Sequence, residues 1–292
     1  MKAFIFPGQG SQFKGMGHDL YLSSEKAKKL FELSNKILGF DICKIMFDGS
    51  EEELKKTNVT QPAIFIHSVI LSKSINKDPD MVAGHSLGEF SALVASNSIS
   101  FEDGLLLVSK RAKAMYDACQ ACDSTMAAII GLEDTIVESI CQEQKGVVVP
   151  ANYNSPNQIV ISGEMNAIKK TCLSLRKMGA KRALILPVGG AFHSPVMESA
   201  KKNLADAISN ISFSSPICPI YQNVDAQPLM RPKEIKDNLI KQLTAPVKWH
   251  QTIQNMINDG ATQFLEVGPG KVLIGLNRRI NREIESLKVT LD

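Results

Sequence analysis

Apolar residues along the chain follow two patterns. Ala3-Phe4-Ile5-Phe6 and Met81-Val82-Ala83 are short unbroken apolar runs, the signature of strands buried on both faces, and Pro216–Tyr221 and Thr262–Val267 read the same way. Between them the period lengthens to that of helices. Ser24–Leu38 places Ala27, Leu30, Phe31, Ser34 and Leu38 on one side. A helix opening at Ser100 carries apolar residues at 101, 105, 108, 112 and 115, and Ser100-Phe101-Glu102-Asp103 has the form of a capping box. Ala63–Lys73 is strongly apolar, with Pro62 expected in its first turn, and Glu51–Lys55 reads as a short exposed helix. Further helices are expected over Glu89–Ala95, Val196–Ile208, Lys233–Leu243, Trp249–Asp259 and Val272–Arg279.

The texture changes near Thr125. Met126–Ile130, Val147–Asn152, Gln158–Ser162 and Arg182–Leu186 read as strands, with helices over Glu133–Glu143 and Asn166–Met178. That β-α-β-β-α-β order is the ferredoxin-like arrangement. The expected fold class is therefore α/β: an α/β-hydrolase-like parallel sheet with helices on both faces, built from residues 1–124 and 189–292, and interrupted by a ferredoxin-like small domain over 125–188.

Composition changes this picture little. A chain of 292 residues with 44% hydrophobic and 22% charged residues suits one large domain or two unequal ones with an unaided core. A net charge of +3 does not suggest a nucleic-acid partner. No apolar run reaches the ~18 residues of a membrane span, and Met1–Pro7 is too short and too soon broken to read as a secretory leader. Six cysteines point to free thiols in a reducing compartment, so the expected location is cytoplasmic. Cys119-Gln120-Ala121-Cys122 is a lone C-x-x-C with no second pair or nearby histidines, so no metal site is expected.

The candidate chemistry centres on Gly84-His85-Ser86-Leu87-Gly88, a G-x-S-x-G pattern between a strand and a helix. In that setting Ser86 sits on a tight turn with its hydroxyl raised at the strand end, beside the free N–H groups of a helix start. A serine needs a base, and histidine is the residue whose pKa suits the task. Of five histidines, His85 projects differently from Ser86, His67 lies in an apolar helix, and His18 and His250 have no distinguishing context. His193 lies in a Gly- and Pro-containing loop after a strand, later in the chain than the serine; it reads equally as a residue leading into the Ser194-Pro195 turn. No Asp or Glu stands out as a third member, and a dyad with His held by a backbone carbonyl is one solution. Oxyanion donors are expected at the backbone N–H of Leu87 and, from the loop after the first strand, of Gln9. That loop is not a dinucleotide fingerprint, because position 13 is Phe where G-x-G-x-x-G needs Gly. Arg111 borders an apolar helix face, where it reads either as a solvated charge or as a two-pronged receptor for a substrate carboxylate.

Taken in order, Phe6-Pro7-Gly8-Gln9-Gly10-Ser11-Gln12, Gly84–Glu89, Arg111, Gly190-Ala191-Phe192-His193-Ser194 and Glu266-Val267-Gly268-Pro269-Gly270 resemble the malonyl-CoA:acyl carrier protein transacylase family over nearly the whole chain. The resemblance implies Ser86 as nucleophile, His193 as general base and acid, Gln9 and Leu87 as oxyanion donors, and Arg111 as partner of the malonyl carboxylate. It further implies that the Gln242 backbone carbonyl orients His193, and that Met115, Asn154 and Phe192 line the substrate channel. Ala191 departs from the residues common in bacterial members and leaves extender selectivity open. The implied substrates are the coenzyme A thioester malonyl-CoA and holo-acyl carrier protein, with no bound cofactor or metal, no nucleic acid and no membrane, in a monomer. Lys169, Lys170, Arg176, Lys177, Lys181 and Arg182 are a candidate docking patch for an acidic carrier. The competing readings are a serine hydrolase or thioesterase on the same nucleophile, and a non-catalytic carrier-binding protein.

Overall fold

The computed structural model describes residues 1–75 and 77–291. Among the described residues ten strands form two sheets: β1 (Lys2–Phe6), β2 (Met81–Gly84), β3 (Ser124–Ile130), β4 (Val148–Ser155), β5 (Gln158–Glu164), β6 (Arg182–Ile185), β7 (Ile220–Tyr221), β8 (Pro228–Leu229), β9 (Gln263–Glu266) and β10 (Glu285–Lys288). The larger sheet has the order β10-β9-β1-β2-β7-β8 and is parallel except for β8, which closes one edge antiparallel to β7. Its apolar runs are buried on both sides. In β1, Phe4 and Phe6 face a large cluster with the helices Thr57–Ser74 and Phe101–Gln120, while Ala3 and Ile5 face Trp249, Ile253, Met256 and Leu273.

Register determines what the C-terminal edge of this sheet carries. Phe6 pairs with Gly84, and Ile5 pairs with Glu266. The loop after β1, the turn after β2 and the Val267-Gly268 turn after β9 therefore emerge side by side, where open parallel sheets bind ligands.

The smaller sheet is antiparallel, in the order β4-β5-β3-β6. Its strands alternate. Ala127, Ile129, Ile159 and Ile161 pack against the helices Asp134–Glu143 and Met165–Lys177, whereas Met126 and Val160 join the large core cluster. A lone parallel bridge between Asn152 and Val247 ties β4 to the segment after Gln242, with Tyr153 N–H to Val247 O at 2.9 Å and Val247 N–H to Ala151 O at 2.8 Å.

Several expectations are corrected. The helix expected from Ala63 begins at Thr57, so Pro62 is its sixth residue and not in its first turn. Proline removes one ladder bond there, but Thr57, Val59, Thr60 and Gln61 are buried with the rest of the helix, and packing overrides the local signal. Ser100 caps its helix by accepting from Asp103 N–H at 3.0 Å, but the box is not reciprocal: the shorter Asp103 side chain accepts from the Ser100 hydroxyl. A full capping box occurs instead at Ser50 and Glu53. Only Ile220 and Tyr221 of Pro216–Tyr221 are strand, because Pro216 and Pro219 have no N–H for a ladder. The expected Lys233–Leu243 helix ends at Lys241, and Gln242–Thr244 tightens into a 3-10 turn. Helices His18–Ser23 and Ile42–Asp48 and the strands β8 and β10 were not foreseen.

Candidate active site

The turn after β2 is built by close backbone approach. A Cβ on Gly84 would overlap the Gly88 backbone, and one on Gly88 would overlap the Phe6 carbonyl, so both positions of the elbow exclude side chains. Ser86 between them holds a left-handed backbone with φ 52°. Its N–H donates to Asn223 Oδ1 at 2.7 Å, and Asn223 Nδ2 donates to Gly84 O at 2.7 Å.

His193 arrives from the other side of the cleft, also at positive φ (58°). Its loop is pinned by Ala191 N–H to Ser124 Oγ at 3.2 Å and by Ser194, whose hydroxyl donates to Ala191 O at 2.7 Å. His193 Nε2 lies 2.8 Å from Ser86 Oγ, and Nδ1 lies 2.9 Å from Gln242 O and 3.2 Å from Ala245 O. Carbonyl oxygens only accept, so Nδ1 carries the proton and Nε2 offers its lone pair to the serine. Burial, with the Arg111 charge adding to it, pushes the His193 imidazole down to about 3, so it is neutral at physiological pH. The 3-10 turn at Gln242–Thr244 turns the Gln242 carbonyl out of a regular helical ladder toward the imidazole.

Arg111 is 1% exposed and lies one turn before Met115 on the Phe101–Gln120 helix. Its guanidinium donates to Gln61 Oε1 at 2.7 Å, Ser86 Oγ at 2.9 Å and Gln242 Oε1 at 3.2 Å, and sits 5.7 Å from the Phe90 ring centroid. Burial lowers its pKa to about 10, opposed by Glu89, and it remains a cation at neutral pH. Among the described residues no carboxylate ion-pairs with it, and its Nε–H has no partner. An interior cation held only by neutral acceptors is suited to an incoming anionic group.

Ser86, His193 and Arg111 converge on one cavity of about 230 Å³, which Gln9, Leu87, Met115, Asn154 and Phe192 also line. Among the described residues neither the Gln9 nor the Leu87 backbone N–H donates a hydrogen bond, so both remain free for an oxyanion. Gln242 stands behind the cavity, with its Nε2 donating to Ser86 O at 2.9 Å. Asn154 Oδ1 lies 2.9 Å from His85 Nε2, and the His85 ring stands 5.6 Å from that of Trp249. His85 thus braces the elbow against the small sheet.

Four residues of this arrangement escaped the sequence. Gln61 lies within the Thr57–Ser74 helix, where it accepts from Arg111 and donates to Met115 Sδ at 3.3 Å. Asn223 and Ala245 carry no signal of their own, and Glu89 closes the Gly84–Glu89 stretch with no role read for it. Cys119 and Cys122 lie at the end of the Phe101–Gln120 helix, half-buried and unpaired.

The acyl transferase domain model matches residues 3–289. The malonyl CoA-acyl carrier protein transacylase of Escherichia coli (strain K12) is 42% identical over 284 residues, spanning 95% of this chain and 92% of that protein. The malonyl CoA-acyl carrier protein transacylase structure from Coxiella burnetii superposes with a TM-score of 0.95 at 38% identity, covering 98% of this chain and 93% of that one. A structure of a type II PKS acyl-carrier protein in complex with its malonyl-transacylase matches with a TM-score of 0.94 at 38% identity, covering 99% and 95%. The chain belongs to the acyl transferase domain family and, within it, to the malonyl CoA-acyl carrier protein transacylases.

Proposed function

We propose that this protein transfers the malonyl group of malonyl-CoA to the phosphopantetheine thiol of acyl carrier protein through a malonyl ester on Ser86. The observation that carries the reading is the buried, carboxylate-free Arg111 guanidinium 2.9 Å from the same Ser86 Oγ that lies 2.8 Å from His193 Nε2. A cation beside the reacting hydroxyl selects an acyl group that carries its own carboxylate close to its carbonyl.

In the first half-reaction His193 Nε2 takes the Ser86 proton while Oγ attacks the thioester carbon. The Gln9 and Leu87 N–H groups receive the oxyanion, and His193 returns the proton to the departing coenzyme A sulfur. In the second half-reaction the carrier thiol gives its proton to His193, its sulfur attacks the ester, and Ser86 Oγ leaves with that proton. Coenzyme A departs before the carrier enters, so the kinetics are ping-pong. The Gln242 carbonyl keeps the imidazole in the required tautomer, and Met115, Asn154 and Phe192 line the channel. The scheme uses the coenzyme A thioester as substrate and needs no resident cofactor.

We read residues 1–124 and 189–292 as an α/β-hydrolase-like catalytic unit and 125–188 as a ferredoxin-like insertion, supported by the β4-β5-β3-β6 order and the β-α-β-β-α-β succession. The setting is fatty acid synthesis in the cytoplasm, as a monomer; among the described residues no helix is long and apolar enough to cross a membrane. The basic cluster divides. Lys169, Lys170, Arg176 and Lys177 lie on a helix that covers the far face of the small sheet, while Lys181 and Arg182 join Arg279 around a cavity that shares Gln158 with the catalytic one. Docking of an acidic carrier is therefore assigned to Lys181, Arg182 and Arg279.

Intact-protein mass spectrometry after brief exposure to malonyl-CoA tests the proposal, with Ser86→Ala as control. The expected result is a malonyl adduct absent from the control and discharged by holo-carrier as malonyl-carrier appears. Decay to free malonate regardless of carrier identifies a hydrolase or thioesterase. No adduct, with malonyl-CoA intact, leaves a carrier-binding protein.

A further inference from the structure

We infer that Glu89 is a positioning residue for the Ser86 elbow, acting through Asn223. The inference rests on reading Ser86 as the acylated nucleophile. Glu89 lies in the first turn of the Gly88–Ala95 helix and is wholly buried, yet among the described residues it makes no ion pair. Its Oε1 accepts from the backbone N–H of Asn223, and its Oε2 lies 3.4 Å from Gln222 Nε2, which also donates to Ile235 O at 3.2 Å. Burial pushes its carboxyl up to about 8, against the pull of the Asn223 N–H, Gln222, Gln242 and the Arg111 charge. An apolar side chain would fill this place without that penalty. What it would not do is accept from the Asn223 N–H, which lies in the core.

Asn223 explains why that amide matters. Its side chain, also wholly buried, clamps the two sides of the turn: Oδ1 takes the Ser86 N–H and Nδ2 holds the Gly84 carbonyl. The Ser86 N–H has no strand partner, because β2 ends at Gly84, and Ser86 holds a left-handed conformation that serine rarely adopts. The Asn223 carbonyl accepts from Lys248 N–H at 3.0 Å, leaving its N–H as the attachment that Glu89 supplies. The path runs from the Glu89 carboxyl oxygen to the Asn223 amide, through its carboxamide to the Ser86 N–H, and so to where Oγ sits relative to His193 and Arg111. Glu89 itself does not line the cavity.

The test compares Glu89→Ala, Glu89→Gln, Asn223→Ala and the double variant Glu89→Ala/Asn223→Ala. Two rates are measured: labelling of Ser86 by a small neutral fluorophosphonate, read by mass, and malonyl transfer per labelled site with kcat and KM separated. Glu89→Ala is expected to slow labelling and kcat by about 10- to 100-fold, the scale of an ångström's misplacement, with KM for malonyl-CoA within about twofold. Glu89→Gln keeps an acceptor oxygen for the Asn223 N–H and gives up only the long Gln222 contact, so it is expected to restore most of the rate. The double variant is expected to be no slower than Asn223→Ala. Losses that multiply, or a wild-type rate per labelled site in Glu89→Ala, overturn the inference. If Glu89→Ala does not fold, Glu89→Asp, whose acceptor is drawn back by one methylene, takes its place; full kcat in it overturns the inference equally. A wild type that is not labelled at Ser86 removes the reading beneath it, whereas labelling independent of Glu89 removes only the inference.

Discussion

Arg111 holds a positive charge in the interior against the oxygens of Gln61, Ser86 and Gln242, none of them charged. Its contribution to transfer should therefore depend on whether the acyl group brings a carboxylate. Removing one member of a buried charge pair costs about 2–5 kcal/mol, so Arg111→Ala is expected to slow malonyl transfer by about 30-fold or more. Acetyl transfer, which offers nothing for the guanidinium to hold, is expected to be spared or to rise. Steady-state rates with both thioesters decide the matter, and equal losses with the two would remove Arg111 from substrate choice. At this scale Ser86 stood out from its strand–turn–helix context, whereas His193 and Arg111 each kept a second reading from their neighbours alone and were singled out by the family resemblance; the three line one cavity. Asn223 and Glu89 were not: the bonds that matter join positions 137 and 134 residues apart, and an amide or a lone carboxylate in a helix looks ordinary in sequence. The Gln242 carbonyl was reachable only through family resemblance, because a backbone atom carries no side-chain signature.

Glu266, at the end of β9, shows how one residue fixes an element that walls the cavity. It is wholly buried, and its two oxygens accept from Leu273 N–H at 3.1 Å and Ile274 N–H at 2.9 Å, satisfying the first turn of the Val272–Ile280 helix. Val272, Leu273 and Leu276 of that helix line the cavity. Glu266→Ala leaves those donors without an acceptor and is expected to destabilise the fold by about 2 kcal/mol, with KM for malonyl-CoA rising as the wall loosens. Urea denaturation at neutral pH gives the first quantity and steady-state kinetics the second; an unchanged urea midpoint would show that the helix does not depend on this cap. Most elements were legible because burial imposed a clean period on them. The failures have local causes. Pro62 suggested a helix start that packing overrode, the prolines at 216 and 219 cut a strand short, and Glu285-Ser286-Leu287-Lys288 is too polar to be seen as a strand until β9 supplies its partner.

For the molecule as a whole, the antiparallel β4-β5-β3-β6 sheet was legible from the change of period, but the Asn152–Val247 bridge that ties β4 to the segment after Gln242 was not, since it pairs backbone with backbone across distant segments. Burial also gives the entire fold a pH dependence. His67, His85 and His193 are all pushed below the ordinary 6.5 by burial, His67 to about 4 and His193 to about 3. Below pH 6.5 the unfolded chain takes up protons that these native imidazoles refuse, so their contribution is fully present above pH 6.5 and is lost as the pH falls toward the folded values. Glu89, raised to about 8, and Glu266, raised from 4.5, act in the opposite sense, favouring the native state less as the pH rises through that range. His67 isolates one of these terms. It lies outside the catalytic cavity, in the Thr57–Ser74 helix, and its buried Nδ1 has no hydrogen-bond partner. Urea unfolding of the wild type is expected to show stability falling between pH 7.5 and pH 5. In His67→Leu, which has no charge to refuse, that fall should be smaller by about 2 kcal/mol. The glutamate contributions are common to both proteins and cancel in the comparison. Parallel pH profiles would mean that His67 binds its proton as readily in the folded chain as in the unfolded one, and that its burial does not oppose folding in acid.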